Sequence, residues 1–468
     1  MSRDPWDLLP LAALCCVALW LRVSLLHHGY QPDELANLDE GSVWSIVWDA
    51  ESAVNPPLLR ATLNGLFDIS TVLDRGRQLN VLLGTAAVVF GWLLGWRTGG
   101  SQLTGLLGAV LFAGNPALVE MSACARSYAP WCLVASWHLY AVLGWLHATG
   151  EQRARWRRQM MFSAVLLPWL HYLSGPLLLL IGGAWLLVPD RRDGFTAYVP
   201  AGIGILPMAA LIVSEDSTRV ATYVSLREVF SPILALGQHT PPALIAAVRP
   251  DGLHAAPPDL HAAMAASTLL FLGLYLTRWR HLDLARRWLL WGAISVLITV
   301  WVLSQVQFVR SPVAICLLVF VVPLITSAVG ALPHLGARLL ASVLACVWLL
   351  SGTPERLAEP SGALKADALR ALSTEWRDYD GPRRGRPIMT APAYTFVGMH
   401  YYLTRTHTRG RTEACGEVRC YTYDGVRFVQ AAERAPRTPP DGLLLSVLPT
   451  PEGLTEGCTL LDQRADRA

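Results

Sequence analysis

The chain has 468 residues, 53% of them hydrophobic and 16% charged, with a mean hydropathy of +0.37. Soluble domains carry about a quarter charged residues, so an ordinary water-soluble globular protein is excluded. A net charge of +3 with no basic stripe excludes a nucleic-acid binder. Positive charge is nearly all arginine, Lys365 being the one lysine, a bias common in GC-rich bacterial genomes.

A bilayer core about 30 Å thick needs roughly 20 apolar residues per helix. Charge-free runs recur along the chain, and spans are expected near 8–26, 78–96, 101–117, 128–147, 159–171, 175–188, 197–214, 263–277, 287–304, 311–330 and 334–350. The expected fold is therefore an all-α polytopic membrane protein of about eleven transmembrane helices. The first run, Leu8 to Leu26, lacks a small-residue cleavage site and holds Arg22 late, which reads as an uncleaved helix. The stretch 159–188 is either one long helix or a tight hairpin bending at His171, Tyr172, Ser174, Gly175 and Pro176. Arginine-rich short loops stay cytoplasmic. The hairpin keeps the arginines at 153–158 and at 191–192 on one side, as that rule requires. The N-terminus is then cytoplasmic and the C-terminus outside, in the inner (plasma) membrane.

Two outside loops are long. The first, 27–77, carries apolar residues at helical spacing (Leu35, Leu38, Val43, Ile46, then Leu58, Leu59, Leu63, Leu66), which predicts interfacial amphipathic helices. The second, 215–262, is rich in proline and histidine, with a further interfacial helix expected at 220–233. Residues 1–351 form the membrane domain. Residues 352–468 form a small α/β domain outside the lipid, with strands expected at 386–391 and 442–448 and a helix at 394–403.

Polar residues beside these runs are the candidates for chemistry. Asp33 and Glu34 follow the first helix at once, where a carboxylate can take a proton from a sugar hydroxyl or amine; the same pair also reads as solvated loop charge. Asn55 precedes Pro56-Pro57, a helix start or part of a site in the same loop as Asp33. Arg126 and Tyr128 sit on the same side. Arginine binds phosphate through a planar fork of donors, and equally serves as a headgroup anchor beside a belt tyrosine. His171 and Tyr172, and Arg310 at the start of the tenth span, have the same two readings. Glu120, Asp39 and Glu40 are further acidic candidates. No His/Cys spacing describes a metal cage, and any divalent ion falls to Asp33 and Glu34. Cys415, Cys420 and Cys458 in the polar tail are disulfide candidates in an oxidising compartment, with the pairing open.

Taken in order, these segments resemble the polyprenyl-phosphate-sugar-dependent C-type glycosyltransferases, among them the protein O-mannosyltransferases and the lipid A aminoarabinose transferase. The segments are the acidic pair after the first helix and Pro56-Pro57-Leu58. Then come Arg77-Gln78-Leu79-Asn80 leading into Gly84 and Leu93-Leu94-Gly95, Asn115-Pro116-Ala117-Leu118-Val119, Ala125-Arg126-Ser127-Tyr128-Ala129, and His171-Tyr172. They cover residues 1–190. The resemblance implies a helical bundle closed by its first outside loop, and transfer of a sugar from a polyprenyl phosphate to a lipid, glycan or protein. It implies Asp33 at the acceptor, Glu34 shaping that site or joining a metal, and Arg126 with Arg310 neutralising the donor phosphate. Asn55 departs from the pattern, since many relatives carry His or Lys before the two prolines. Two other classes stand beside the enzyme: a transporter or flippase for a lipid-linked substrate, and a catalytically silent scaffold. No inverted repeat of the transporter kind is visible, and the polar candidates gather on one outer face.

Overall fold

The computed structural model describes residues 8–30, 34, 42–47, 57–68, 70–171, 174–214, 283–304, 315–350, 357, 370, 373–374, 388–391, 403, 413–415, 418–423, 426–430 and 443–446. They fall into two compact units. The first comprises 1–26, 47–59 and 77–358; the second comprises 27–46, 60–76 and 359–468.

The first unit is helical. Helix α1 (Leu9–Val23) opens with Pro10 in its first turn, where a missing N–H costs nothing. The first loop of the sequence holds α2 (Val43–Val47) and α3 (Pro57–Leu66), the latter beginning at the second proline of Pro56-Pro57; residues 43–46 and 60–66 belong to the second unit. Helix α4 (Val72–Gly99) starts earlier than the expected span at 78 and ends at Gly100, whose φ of +73° is the left-handed conformation glycine adopts without a steric penalty. Helix α5 (Gln102–Gly114) starts from a capping box in which Ser101 Oγ accepts from the Thr104 N–H and Thr104 Oγ1 accepts from the Ser101 N–H. The apolar segment 101–117 is not one helix. It breaks at Asn115 and turns by 55° into α6 (Pro116–Ser122).

Next come α7 (Tyr128–His147), α8 (Gly150–Leu170), α9 (Ser174–Ala184) and α10 (Val199–Ser214). Helix α8 starts nine residues before the expected span, because its first half, with Arg153, Arg155, Arg157 and Arg158, is helical too. It ends at Leu170, at the point where the sequence expects a bend. Last come α11 (Leu284–Ser304), α12 (Ile315–Gly330) and α13 (Leu335–Leu350). The expected span at 263–277 and the helix at 220–233 lie outside the described residues.

Small residues let α4 and α5 approach closely. A Cβ on Gly95 would stand 2.3 Å from the Thr104 carbonyl oxygen, and one on Gly108 would stand 2.2 Å from that of Gly91. This is the small-residue packing of helices whose solvent supplies no hydrophobic drive. The distribution of polarity agrees. Trp20, Leu179 and Leu340 are 66%, 71% and 63% exposed, while Arg22, Asn80, Asn115, His138 and Thr326 are buried. An apolar surface around a polar-studded interior is that of a bundle solvated by lipid. Among the described residues, α4 is long and apolar enough to cross a bilayer alone, the bent pair α5–α6 passes as a unit, and shorter apolar helices lie at Leu9–Val23, Ser174–Leu187, Leu318–Gly330 and Leu335–Val347.

At the arginine-rich ends of these helices Trp145 packs edge-on to Trp185, with centroids 4.8 Å apart, and Trp185 lies 3.9 Å from Trp288. The Arg153 guanidinium sits 4.4 Å over the Trp145 ring and pairs with Asp193 at 3.0 Å.

The second unit holds a five-stranded sheet in the order β2-β3-β4-β1-β5. Its strands are β1 (Ile388–Ala391), β2 (Glu413–Cys415), β3 (Val418–Tyr423), β4 (Val426–Gln430) and β5 (Leu443–Ser446). β2, β3 and β4 pair antiparallel, and β1 runs parallel to both β4 and β5. The sequence between β3 and β4 is Asp424-Gly425, a favoured two-residue hairpin connection. In the β2–β3 register Cys420 pairs with Glu413 and Cys415 with Val418. Elsewhere in this unit Arg60 donates to the Ile46 carbonyl at 2.7 Å, Arg370 to that of His27 at 2.8 Å, and the Tyr30 hydroxyl to Asp74.

Candidate functional site

The site in the helical unit is built on the break between α5 and α6. Pro116 has no N–H, so the Phe112 carbonyl loses its helical donor. The N–H groups of Ala117 and Leu118 turn instead to the Asn115 side chain, at 3.1 and 3.2 Å, which removes the donor of the Ala113 carbonyl as well. Arg22, only 1% exposed, supplies both. Its Nη1 donates to the Ala113 carbonyl and its Nη2 to that of Phe112, each at 3.0 Å, and Nη1 also reaches its own helix at the Ala18 carbonyl, again at 3.0 Å. A cation at the carbonyl end of α5 also suits the helix dipole. The Asn115 Nδ2 donates to the Leu349 carbonyl at 3.2 Å and so ties the break to the end of α13.

The loop after α6 carries Arg126. Its backbone is pinned by Asn80 of α4, whose Nδ2 donates to the carbonyls of Cys124 and Arg126, both at 2.6 Å. The Arg126 N–H closes a tight turn on the Cys124 carbonyl at 2.8 Å. Ala123, Cys124 and Ala125 are buried, and the Arg126 side chain is half-buried at the end of this fixed turn.

Helix α7 begins at once with Tyr128. Its ring centroid lies 5.6 Å from that of His171, which is also 6.2 Å from the Trp131 ring in an edge contact. The Trp131 Nε1–H donates to Ser174 Oγ, locking the first turn of α7 to the start of α9. Arg126 lies within electrostatic reach of His171. Three sequence candidates, Arg126, Tyr128 and His171, are thus brought together from a stretch of 46 residues. A cation on a fixed loop, next to a phenol and an imidazole, can hold an oxyanion and orient a hydroxyl.

Of the remaining candidates, Glu34 is helical and fully buried in the second unit, and Glu120 is buried on α6. Asp33, Asn55, Tyr172, Arg310, Asp39, Glu40 and Cys458 lie outside the described residues. Among the described residues no group of three His, Cys, Asp or Glu is placed to hold a metal ion. Two residues that organise the site were not singled out by the sequence. In the sequence Arg22 marks only the absence of signal cleavage, and Asn80 is only one residue of a motif. Both are polar side chains inside apolar runs, which is expensive unless they are partnered and was the available signal.

No protein-family model matches the chain, and no curated protein sequence matches it. Its likeness is three-dimensional. The oligosaccharyltransferase of Archaeoglobus fulgidus, solved tethered through a disulfide bond to an acceptor peptide containing the NVT sequon, superposes with a TM-score of 0.50 at 12% identity. That match covers 86% of this chain and 64% of the archaeal one, so this chain spans less than two thirds of its length. ArnT from Cupriavidus metallidurans, solved bound to undecaprenyl phosphate, gives a TM-score of 0.49 at 14% identity over 85% of each chain. At such identity the likeness is one of fold, and it is the C-type fold that the ordered motifs resemble.

Proposed function

We propose that the chain is an integral membrane glycosyltransferase that moves a sugar from a polyprenyl phosphate to an acceptor lipid, glycan or protein outside the cytoplasm. The observation that carries this reading is the placement of Arg126 on a loop clamped by Asn80, beside Tyr128 and His171, in a fold shared with the archaeal oligosaccharyltransferase. A transferase that expels a lipid phosphate needs fixed positive charge where the leaving oxygen gains its own. Preorganised donors in a water-poor site supply that at little reorganisation cost.

In this mechanism Asp33 takes the proton of the acceptor hydroxyl or amine as that group attacks the anomeric carbon. The bond from that carbon to the phosphate oxygen breaks, and the electron pair leaves with the lipid phosphate. Arg126 and Arg310 neutralise it. Glu34 shapes the acceptor side, Asn55 offers hydrogen bonds but no charge, and His171 with Tyr172 borders the donor. The chain crosses the inner membrane about eleven times, with its N-terminus in the cytoplasm. Residues 352–468 lie outside, where two of Cys415, Cys420 and Cys458 pair.

The test is Asp33→Asn in purified, lipid-reconstituted protein. The variant inserts normally, binds the polyprenyl-phosphate sugar as the wild type does, and loses transfer. Transfer at the wild-type rate removes Asp33 from the role of base.

A further inference from the structure

Three segments bring positive charge to one end of the helical unit. Residues 150–158 of α8, 189–193 and 283–287 together hold eight arginines and four carboxylates, which leaves a surplus of four positive charges. Two of the carboxylates are engaged within the patch, Asp193 with Arg153 at 3.0 Å and Asp283 with Arg286 at 3.9 Å. Arg157 donates to Thr196 Oγ1 at 2.5 Å, and Arg155, Arg158 and Arg192 are exposed.

An aromatic floor joins the three segments. Trp145, Trp185 and Trp288 are buried and touch in that order. Arg153 lies over the Trp145 ring, Arg191 approaches the same ring at 5.8 Å, and Arg286 and Arg287 precede Trp288 in the first turn of α11. An indole face holds a guanidinium flat and leaves its N–H edge for an acceptor. Directly after Trp185 come Leu186 and Leu187, 46% and 82% exposed. Held cations beside an exposed apolar pair make this end of the unit amphiphilic.

We propose that this end of the bundle is a docking surface for anionic phospholipid, with headgroups on the arginines at 155–158 and 191–192 and acyl chains along Leu186 and Leu187. The charge surplus selects an anion. The leucines select an anion that carries hydrocarbon, because a soluble one buries no apolar surface against them. The arginines lie on the outside of the unit, so a headgroup reaches them without entering a cavity. Arg126, Tyr128 and His171 take no part, so the surface stands whether or not the chain transfers sugar.

The experiment places the full chain in nanodiscs of equal parts phosphatidylcholine and phosphatidylglycerol and identifies the lipids it retains by native mass spectrometry. An arginine near an anionic surface strengthens lipid binding about fivefold. The wild type retains phosphatidylglycerol in excess, and the triple variant Arg155→Gln/Arg158→Gln/Arg192→Gln lowers that excess by about tenfold or more. These three side chains are exposed, so the variant unfolds at the wild-type temperature in phosphatidylcholine alone. The matching triple lysine variant keeps the charge and keeps the excess. Arg75→Gln, which removes an exposed arginine of the second unit, leaves the excess unchanged. Raised salt lowers the wild-type excess. No excess in the wild type, the same excess in the triple glutamine variant, or an equal loss in Arg75→Gln overturns the surface. Thermal stabilisation by inorganic phosphate as large as that by phosphatidylglycerol overturns the lipid and assigns the arginines to a soluble anion.

Discussion

The side-chain amide of Asn80 donates to two backbone carbonyls, those of Cys124 and Arg126, at 2.6 Å each. One buried residue of α4 thereby sets the turn on which the half-buried Arg126 stands. An isosteric apolar residue at 80 takes both hydrogen bonds away, at about 0.5–1.5 kcal/mol for each. Asn80→Leu is therefore expected to lower the unfolding temperature in detergent and to cut sugar transfer more than tenfold. Asn80→Asp, which keeps the shape but cannot donate, behaves alike. Unchanged transfer in both variants separates the clamp from the chemistry.

Arg22 and Pro116 are coupled across 94 residues of sequence, because one supplies the donors that the other's break removes. Hydrogen bonds from a charged group contribute about 1.5–3 kcal/mol each, so Arg22→Met, which frees the two carbonyls at the break, destabilises by about 3–6 kcal/mol. Pro116→Ala returns an N–H to the break. The double variant is expected to lose less than the sum of the two single variants, by about 0.5–3 kcal/mol in a thermal or denaturant cycle. Strict additivity contradicts the coupling.

The helices were legible because their signal is local. Unbroken apolar runs with arginines at one set of ends specify elements near 8–26, 128–147 and 334–350, and helices stand there. The break at Asn115 was hidden. Proline at the first turn of a helix and proline inside an apolar span look alike in sequence, and the difference is decided by Arg22, supplied from another helix. Asn80 was hidden for the same reason, since its two acceptors are backbone carbonyls that no side-chain pattern reveals. Arg126, Tyr128 and His171 were legible as polar residues at the ends of apolar runs. Their meeting depends on how α7 packs against the break between α8 and α9, which no single segment encodes.

Close approach of α4 and α5 makes Gly95 and Gly108 intolerant of even one methyl group. Each Cβ would fall 2.2–2.3 Å from a backbone oxygen, so backbone must move. Gly95→Ala and Gly108→Ala are expected to cost about 1–3 kcal/mol of stability, measured by thermal unfolding. Gly183→Ala, with open space around its Cβ position, is the control and is expected to be neutral.

At the donor phosphate a planar fork is not interchangeable with a point charge. Arg126→Gln is expected to lower kcat/KM for transfer by roughly 10²-fold or more, the scale of losing one preorganised charge-stabilising group. Arg126→Lys recovers part of that loss. Because the charge builds up as the bond breaks, the loss falls mainly on kcat. A change confined to KM at full kcat assigns Arg126 to ground-state binding only.

The most direct measurement is donor turnover. Purified protein in lipid receives radiolabelled polyprenyl-phosphate sugars with a membrane extract as acceptor source, beside Asp33→Asn. The account predicts label moving to a new product in the wild type alone, with release of the unglycosylated polyprenyl phosphate. Donors that all remain intact with the wild type, in the presence of that extract, contradict it.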